Sequence, residues 1–194
     1  VRIQATGVVT VNGIISANGS TGWVDPGSQY SAGGGSGGSV WITCNYLAGS
    51  GVIRADGGVP VDWANFSYQT GGVGSGGRVA VIYDVAAQDA QPVPPVFLSA
   101  APGIHPTYNY FFPQWGEAGT VYLPSPRLMS ANLTMKGNVV IPSFTNWSLS
   151  SLTVTGSWVR IVSPGLTIQI TNNLTINGTD RYRYRLETTN ASLS

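Results

Sequence analysis

One unit of sequence occurs twice in the first half of the chain. The segment Ile15–Gly19 recurs as Ile53–Gly57, and Gly35–Val40 recurs as Gly74–Val79 at a nearly equal offset. Each copy reads as a strand, an Asn-Gly or Asp-Gly turn, a long loop, a glycine run and a second strand. A long repeat of this kind predicts a solenoid, in which every repeat buries its apolar residues against the next one.

The strand that ends each copy alternates between apolar residues on one face and other residues on the opposite face. The residues on the face predicted to be buried are Val40, Ile42 and Cys44 in the first copy, and Val79, Val81 and Tyr83 in the second. Cys44 is the single cysteine, which excludes an intrachain disulfide and a cysteine-based metal site. We therefore expect it to be a small buried side chain.

The second half carries a shorter repeat of Leu-Thr followed by an apolar residue. It occurs at Leu133, Leu152 and Leu174, at intervals that suit one solenoid coil, and again at Leu166. Between the two repeat types, Gln91–Pro95 contains three prolines, which favour an extended path outside a regular sheet. The predicted organisation is a repeat pair over 1–86, a proline and aromatic excursion over 87–114, and regular coils over 115–194.

The glycine runs, the turn Gly49–Gly57 and the strand Ala118–Leu123 carry a family resemblance. With the Leu-Thr coils, they resemble the glycine-rich parallel β-helix repeats of large surface proteins, over most of the chain outside 87–114. The resemblance implies an all-β fold, a single-stranded right-handed parallel β-helix with long glycine-rich loops. That family includes adhesins, wall or appendage proteins and some polysaccharide enzymes.

Charge is scarce in this chain. Only 9% of the residues are charged, and the net charge is +1, so no field attracts nucleic acid or an anionic membrane surface. No apolar run approaches the roughly 20 residues of a membrane-spanning helix. We expect neither nucleic acid as a partner nor membrane insertion.

The residues that catalysis or cofactor binding would need are poorly placed. The pattern Gly33-x-Gly35-x-x-Gly38, repeated at Gly72, Gly74 and Gly77, matches a dinucleotide fingerprint, but a strand follows it where a phosphate site needs a helix. His105 is the only histidine, and Asp56 occupies a turn position that Asn18 fills in the other copy. We expect no catalytic site, no cofactor and no bound metal.

Modification signals are frequent. Chance pairing of 12 Asn with 37 Ser and Thr predicts about two Asn-x-Ser/Thr sequons, whereas the chain has seven. The acceptor asparagines are Asn18, Asn65, Asn132, Asn146, Asn173, Asn177 and Asn190. The excess favours an extracellular or cell-surface glycoprotein.

Aromatic and basic residues supply the remaining candidates. Trp23 and Trp63 follow equivalent turns, where they either seal the loops or form a platform on which sugar rings stack. The candidates for contacts between subunits are Tyr108, Tyr110, Phe111, Phe112 and Trp115, and the terminal run Arg181, Tyr182, Arg183, Tyr184 and Arg185. That terminal run could also read as a strip for single-stranded nucleic acid, against which the low net charge argues.

The function predicted from these features is structural. We expect an N-glycosylated subunit or segment of an extracellular fibre, appendage or surface protein, whose partner is another copy of itself in a filament. Two alternatives stay open at this point. A carbohydrate-binding adhesin module would present clustered outward aromatic side chains to a polysaccharide, and a polysaccharide lyase or hydrolase would bring carboxylates of adjacent coils together.

Overall fold

The structure is a computed structural model, and it describes residues 1–23, 32–61, 71–104, 116–155, 158–177, 185–188 and 192–193. Its strands, in chain order, are β1 (Arg2–Gln4), β2 (Val8–Thr10), β3 (Ile14–Ser16), β4 (Ser39–Cys44), β5 (Tyr46–Ala48), β6 (Val52–Arg54), β7 (Arg78–Tyr83), β8 (Phe97–Ser99), β9 (Thr120–Tyr122), β10 (Asn132–Leu133), β11 (Lys136–Val140), β12 (Asn146–Thr155), β13 (Trp158–Ile161), β14 (Thr167–Asn177), β15 (Arg185–Thr188) and β16 (Ser192–Leu193).

Helix is nearly absent from the described residues. The single α-helix, α1 (Val85–Asp89), has five residues, and one 3-10 turn covers Pro126–Leu128. The Asp84 side chain begins α1 by accepting a hydrogen bond of 2.7 Å from the Ala87 N–H. No helix in the described ranges has the length and hydropathy that crossing a membrane requires.

All strand pairings between described residues are parallel, and they form a mostly β fold with a curled sheet. The long sheet consists of β1, β4, β7, β9, β11, β13 and β15 in that order, with β8, β6 and β3 continuing from β11. The curl arises at β11, because Lys136 pairs with Ser99 of β8 while Asn138 pairs with Thr120 of β9. A second sheet contains β10, β12, β14 and β16, and a third pairs β2 with β5.

The sequence repeat agrees with the register in which the strands pair. Ile15 pairs with Ile53, and Val40 pairs with Val79, so equivalent residues of the two copies lie side by side. The predicted inward face is confirmed, because all six of its residues are buried: Val40, Ile42, Cys44, Val79, Val81 and Tyr83. The alternation of apolar residues was therefore sufficient to identify this face.

The shorter repeat has a different register from the one its motif suggested. Leu152 pairs with Leu174 as expected, but Leu133 pairs with Val154, two residues beyond Leu152. Leu166 precedes β14 and lies at another position of the repeat. A shift of two residues keeps the same side chains inward, since Leu133, Leu152 and Val154 are all buried, so the alternation of apolar residues does not distinguish the two registers.

The segment 87–114, expected as an excursion, contains a strand of the long sheet. After its prolines, β8 pairs with β6 through Val52 and Phe97, and Leu98 is fully buried. Apolar residues after the proline run return the chain to the core. The part of this segment over 105–114 lies outside the described residues.

The edge of the third sheet at β5 is covered by the side chain of a glutamine. Gln88 of α1 is completely buried, and its Oε1 accepts a hydrogen bond of 2.7 Å from the Leu47 N–H. Its Nε2 donates to the Leu47 carbonyl oxygen at 3.2 Å. The primary amide thereby satisfies the same backbone groups that a third strand beside β5 would have satisfied.

Candidate functional site

The glycine runs are not loops but a packed array of extended segments, which we call the glycine arm. Its segments leave the end of one strand and return to the start of the next: 17–22, 32–38, 55–59, 71–77, 100–103 and 116–119. The described residues of the arm belong to no helix or strand. Their backbone hydrogen bonds nevertheless join one segment to another throughout.

Hydrogen bonds in the glycine arm recur every third residue. Gly77 donates its N–H to the Ala55 carbonyl at 2.7 Å. Gly74, three residues earlier, donates to the Gly58 carbonyl at 2.9 Å, three residues beyond Ala55. The same spacing relates Gly19 and Gly22, which donate to the next repeat. Three residues per turn without internal hydrogen bonds is the geometry of polyproline II, so the arm is a bundle of such extended helices.

Glycine is required in the arm because the backbones lie too close for a side chain. A Cβ built on Gly58 would lie 1.9 Å from the Ser20 carbonyl oxygen, and one on Gly74 would lie 1.9 Å from that of Gly35. Neither glycine has a left-handed φ, so the requirement is for space. Sequence reasoning missed this arrangement, although the spacing of Gly71, Gly74 and Gly77 carries its period of three.

A ladder of Asn and Asp side chains joins successive repeats at the base of the arm. Asn18 Oδ1 accepts a hydrogen bond of 2.9 Å from the Asp56 N–H. Asp56 Oδ1 in turn accepts one of 2.8 Å from the Ala101 N–H and another from the Ser99 hydroxyl. Asn18 and Asp56 were expected in local turns, but both lie in extended segments, and the Asp56 carboxylate is an acceptor for the next repeat.

The outer face of the long sheet carries two aromatic residues in register. Trp41 of β4, Ala80 of β7 and Tyr122 of β9 lie side by side. Trp41 is 43% exposed, and its indole N–H donates to the Thr43 hydroxyl at 3.2 Å. Tyr122 is half-buried, and Ala80 between them is 2% exposed. Sequence reasoning considered loop tryptophans and did not identify this pair.

Sequon asparagines gather on the outer face of the second sheet. Asn173 and Asn177 are exposed on β14, and Asn132 is exposed on β10. Asn132 pairs with Thr153, which pairs with Thr175, so the three acceptors share one face whose other outward residues carry hydroxyl groups. The outward residues of this face, which we call the hydroxyl face, are Asn132, Ser151, Thr153, Thr155, Asn173, Thr175 and Asn177.

The other predicted site residues are distributed as follows. Asn146 is exposed on β12 and Asn18 is exposed at its turn. Trp23 is 66% exposed, and the loop residues 24–31 that follow it lie outside the described ranges. Arg185 begins β15, where it pairs with Trp158. The residues outside the described ranges are Asn65, Asn190, Trp63, Tyr108, Tyr110, Phe111, Phe112, Trp115, Arg181, Tyr182, Arg183 and Tyr184.

Two titratable side chains in the core are protonated at neutral pH. Burial raises the pKa of the Cys44 thiol above its ordinary value. Burial also raises the pKa of the Tyr83 hydroxyl, although its hydrogen bonds with Ser125 oppose the shift. Within the described ranges, no group of three or more His, Cys, Asp or Glu side chains could hold a metal ion.

Comparison with known proteins gives no relative. No family model, no curated protein and no solved structure matches the chain.

Proposed function

We propose that this chain is a structural, N-glycosylated segment of an extracellular fibre, appendage or surface protein. Its architecture is a single-stranded right-handed parallel β-helix. Parallel ladders that join each strand to its copy in the next repeat support this architecture, since a parallel return needs a crossover and such crossovers are nearly always right-handed. In this proposal the protein acts by assembling with other copies of itself and not by catalysing a reaction.

The observation that carries the proposal is the open first layer, formed by β1, β2 and β3. Each of these strands pairs with one neighbour only among the described residues. Ile3, Val9 and Ile15 are only partly buried. Their partners in the next layer, Ile42, Leu47 and Ile53, are 0–1% exposed. Among the described residues, the apolar core therefore continues into this layer and is less covered there than in the next one.

An open layer of this kind favours the addition of another layer. Strand edges leave unpaired N–H and C=O groups, and a half-covered apolar core gains free energy when another repeat covers it. At the other end, Leu174 and Ile176 of β14 are 46% and 47% exposed, whereas their partners Leu152 and Val154 are fully buried. Both layers therefore offer apolar surface that another layer could cover, and a second copy of this chain is the proposed partner.

The test is the state of assembly in solution. We expect filaments or higher oligomers in electron micrographs and in analytical ultracentrifugation of the native protein. Ile15→Lys places a charge on the open layer, where it should reduce assembly while the fold persists, because Ile15 is only partly buried. Thr10→Lys, at an exposed outward position of the same layer, is the control and should assemble normally. A monodisperse monomer across the accessible concentration range would refute the proposal.

A further inference from the structure

We infer that the outer face of the long sheet around Trp41 and Tyr122 binds an acidic polysaccharide, with the sugar rings stacked on the aromatic pair. This face includes the outward residues of β1, whereas the proposed assembly rests on the inward residues Ile3, Val9 and Ile15 of the open layer. The inference therefore goes beyond the structural function, and it can hold or fail independently.

The geometry of Trp41 makes it a platform rather than a packing residue. Its backbone is held on both sides, by Arg2 of β1 and by Ala80 of β7. The hydrogen bond from its indole N–H to Thr43, two residues farther along the same face, aligns the ring with the strand. With 43% of the residue exposed, the ring is both immobilised and accessible to solvent.

Ala80 separates the two aromatic residues of the platform. It is a small residue in register between Trp41 and Tyr122, and it adds no bulky side chain between them. Parallel strands are about 4.8 Å apart, so the backbones of Trp41 and Tyr122 are separated by about 10 Å across Ala80. Aromatic residues on one face at this separation suit successive sugar units, because the apolar face of a pyranose ring is a chemically suitable partner for an aromatic ring.

Charge selects the class of sugar. The outward residues of β1, β4, β7 and β9 are Arg2, Gln4, Ser39, Trp41, Thr43, Arg78, Ala80, Ile82, Thr120 and Tyr122. None is acidic, two are arginine, and both arginines are exposed. In a chain whose overall net charge is +1, this is a locally positive surface. Guanidinium groups bind carboxylates in bidentate fashion, so uronate residues fit the aromatic platform and its arginines together.

The experiment is a calorimetric titration of the native protein with oligogalacturonate, and with a cello-oligosaccharide of equal length as the neutral probe. We expect oligogalacturonate to bind at least tenfold more tightly than the neutral probe, and its affinity to fall as salt is added. Trp41→Ala should weaken binding about fivefold, because one aromatic contact contributes about 1 kcal/mol. Arg78→Gln should weaken oligogalacturonate binding and leave binding of the neutral probe unchanged.

Val85→Ala is the control. It trims an exposed apolar side chain, 40% exposed, that belongs to α1 and not to the strands of this face, and it should leave the affinity unchanged. Circular dichroism confirms that each variant keeps its β structure. Three results would overturn the inference: no heat of binding with either sugar, equal affinity for the acidic and neutral probes, or wild-type affinity in Trp41→Ala.

Discussion

At the scale of single residues, several glycines are important because they have no side chain. Gly58 and Gly72 both lie in the glycine arm, but they differ in the space around them. A Cβ on Gly58 would meet the Ser20 carbonyl oxygen at 1.9 Å, whereas one on Gly72 would have no atom within 4 Å. Neither has a left-handed φ, so alanine would be strained at neither position through φ alone. Comparing substitutions at Gly58 and Gly72 therefore distinguishes the effect of close packing from the effect of backbone conformation.

We expect Gly58→Ala to lower the free energy of unfolding by about 3 kcal/mol, because backbone segments must move apart to admit a methyl group. Gly72→Ala should leave stability unchanged or raise it by about 0.5 kcal/mol, because alanine restricts the unfolded chain. Urea unfolding followed by circular dichroism measures both. Equal effects in the two variants would contradict the close packing of the arm.

The protonation of two core residues makes stability depend on pH. Cys44 and Tyr83 are neutral in the folded core, and burial raises both pKa values above the ordinary 9.0 and 10.0. The unfolded state therefore loses these protons at lower pH than the folded state does. Their contribution to stability is complete below the ordinary values and is lost as the pH rises through the raised ones.

The expected outcome is a free energy of unfolding that is level around neutral pH and declines above pH 9.0, the ordinary value for cysteine. Urea titrations at a series of pH values give the slope. Cys44→Ala should remove the part of the decline in stability that begins at lower pH. Tyr83→Phe should remove the part that begins at higher pH, because the ordinary pKa of tyrosine is higher than that of cysteine. A stability that rises with pH in the alkaline range would show that the sign is wrong.

At the scale of elements, the side chain of Gln88 in α1 covers the edge of the third sheet at β5. The β2–β5 pair stops at Gln88, whose amide bonds both backbone groups of Leu47. A helix of five residues has little intrinsic stability. Its position must therefore depend on this contact and on the cap supplied by Asp84.

Replacing Gln88 with leucine tests the contact. Gln88→Leu keeps an apolar body of similar size but leaves the N–H and C=O of Leu47 without partners. We expect a loss of about 2 to 4 kcal/mol, since each buried unsatisfied group costs about 1 to 3 kcal/mol. Ala86→Gln, at an exposed position of α1, is the control and should change stability by less than about 0.5 kcal/mol. Hydrogen exchange at the Leu47 amide reports the same contact directly.

At the scale of the whole molecule, a nearly uncharged surface needs another source of solubility. The hydroxyl face presents three sequon asparagines, and Asn18 and Asn146 are exposed elsewhere. Glycans at such positions project into solvent without displacing packed atoms. They would also hinder unwanted side-by-side association of the sheets while leaving the open first layer accessible.

We expect the native protein to lose mass on treatment with an amidase that removes N-linked glycans, with Asn132, Asn173 and Asn177 among the sites converted to aspartate. Thr175→Ala destroys the sequon of Asn173 and should remove one glycan. Thr153→Ala changes the neighbouring threonine in the same row, belongs to no sequon and should leave the mass of the glycans unchanged. An identical mass before and after amidase treatment would exclude the modification.

Several features of this protein followed from the sequence by itself. The offsets between Ile15 and Ile53 and between Val40 and Val79 identified the paired strands, and alternation around Cys44 identified the buried face. These features are predictable because a strand has a period of two and a solenoid repeats its burial in every layer. The role of Asp56 did not follow in this way, because its carboxylate bonds Ser99 and Ala101 of the next repeat instead of its local backbone.

The remaining features were decided by contacts between distant segments. Leu133 pairs with Val154 and not with Leu152, and the sequence pattern does not distinguish these registers because both bury the same side chains. The glycine arm exists because segments from different repeats pack laterally, and Gln88 reaches Leu47 from a distant part of the chain. Trp41 and Tyr122 become a pair only when three strands align around Ala80. Local periodicity determined which face each strand buries, whereas tertiary packing determined which faces and segments meet, because that choice depends on the summed free energy of contacts far apart in sequence.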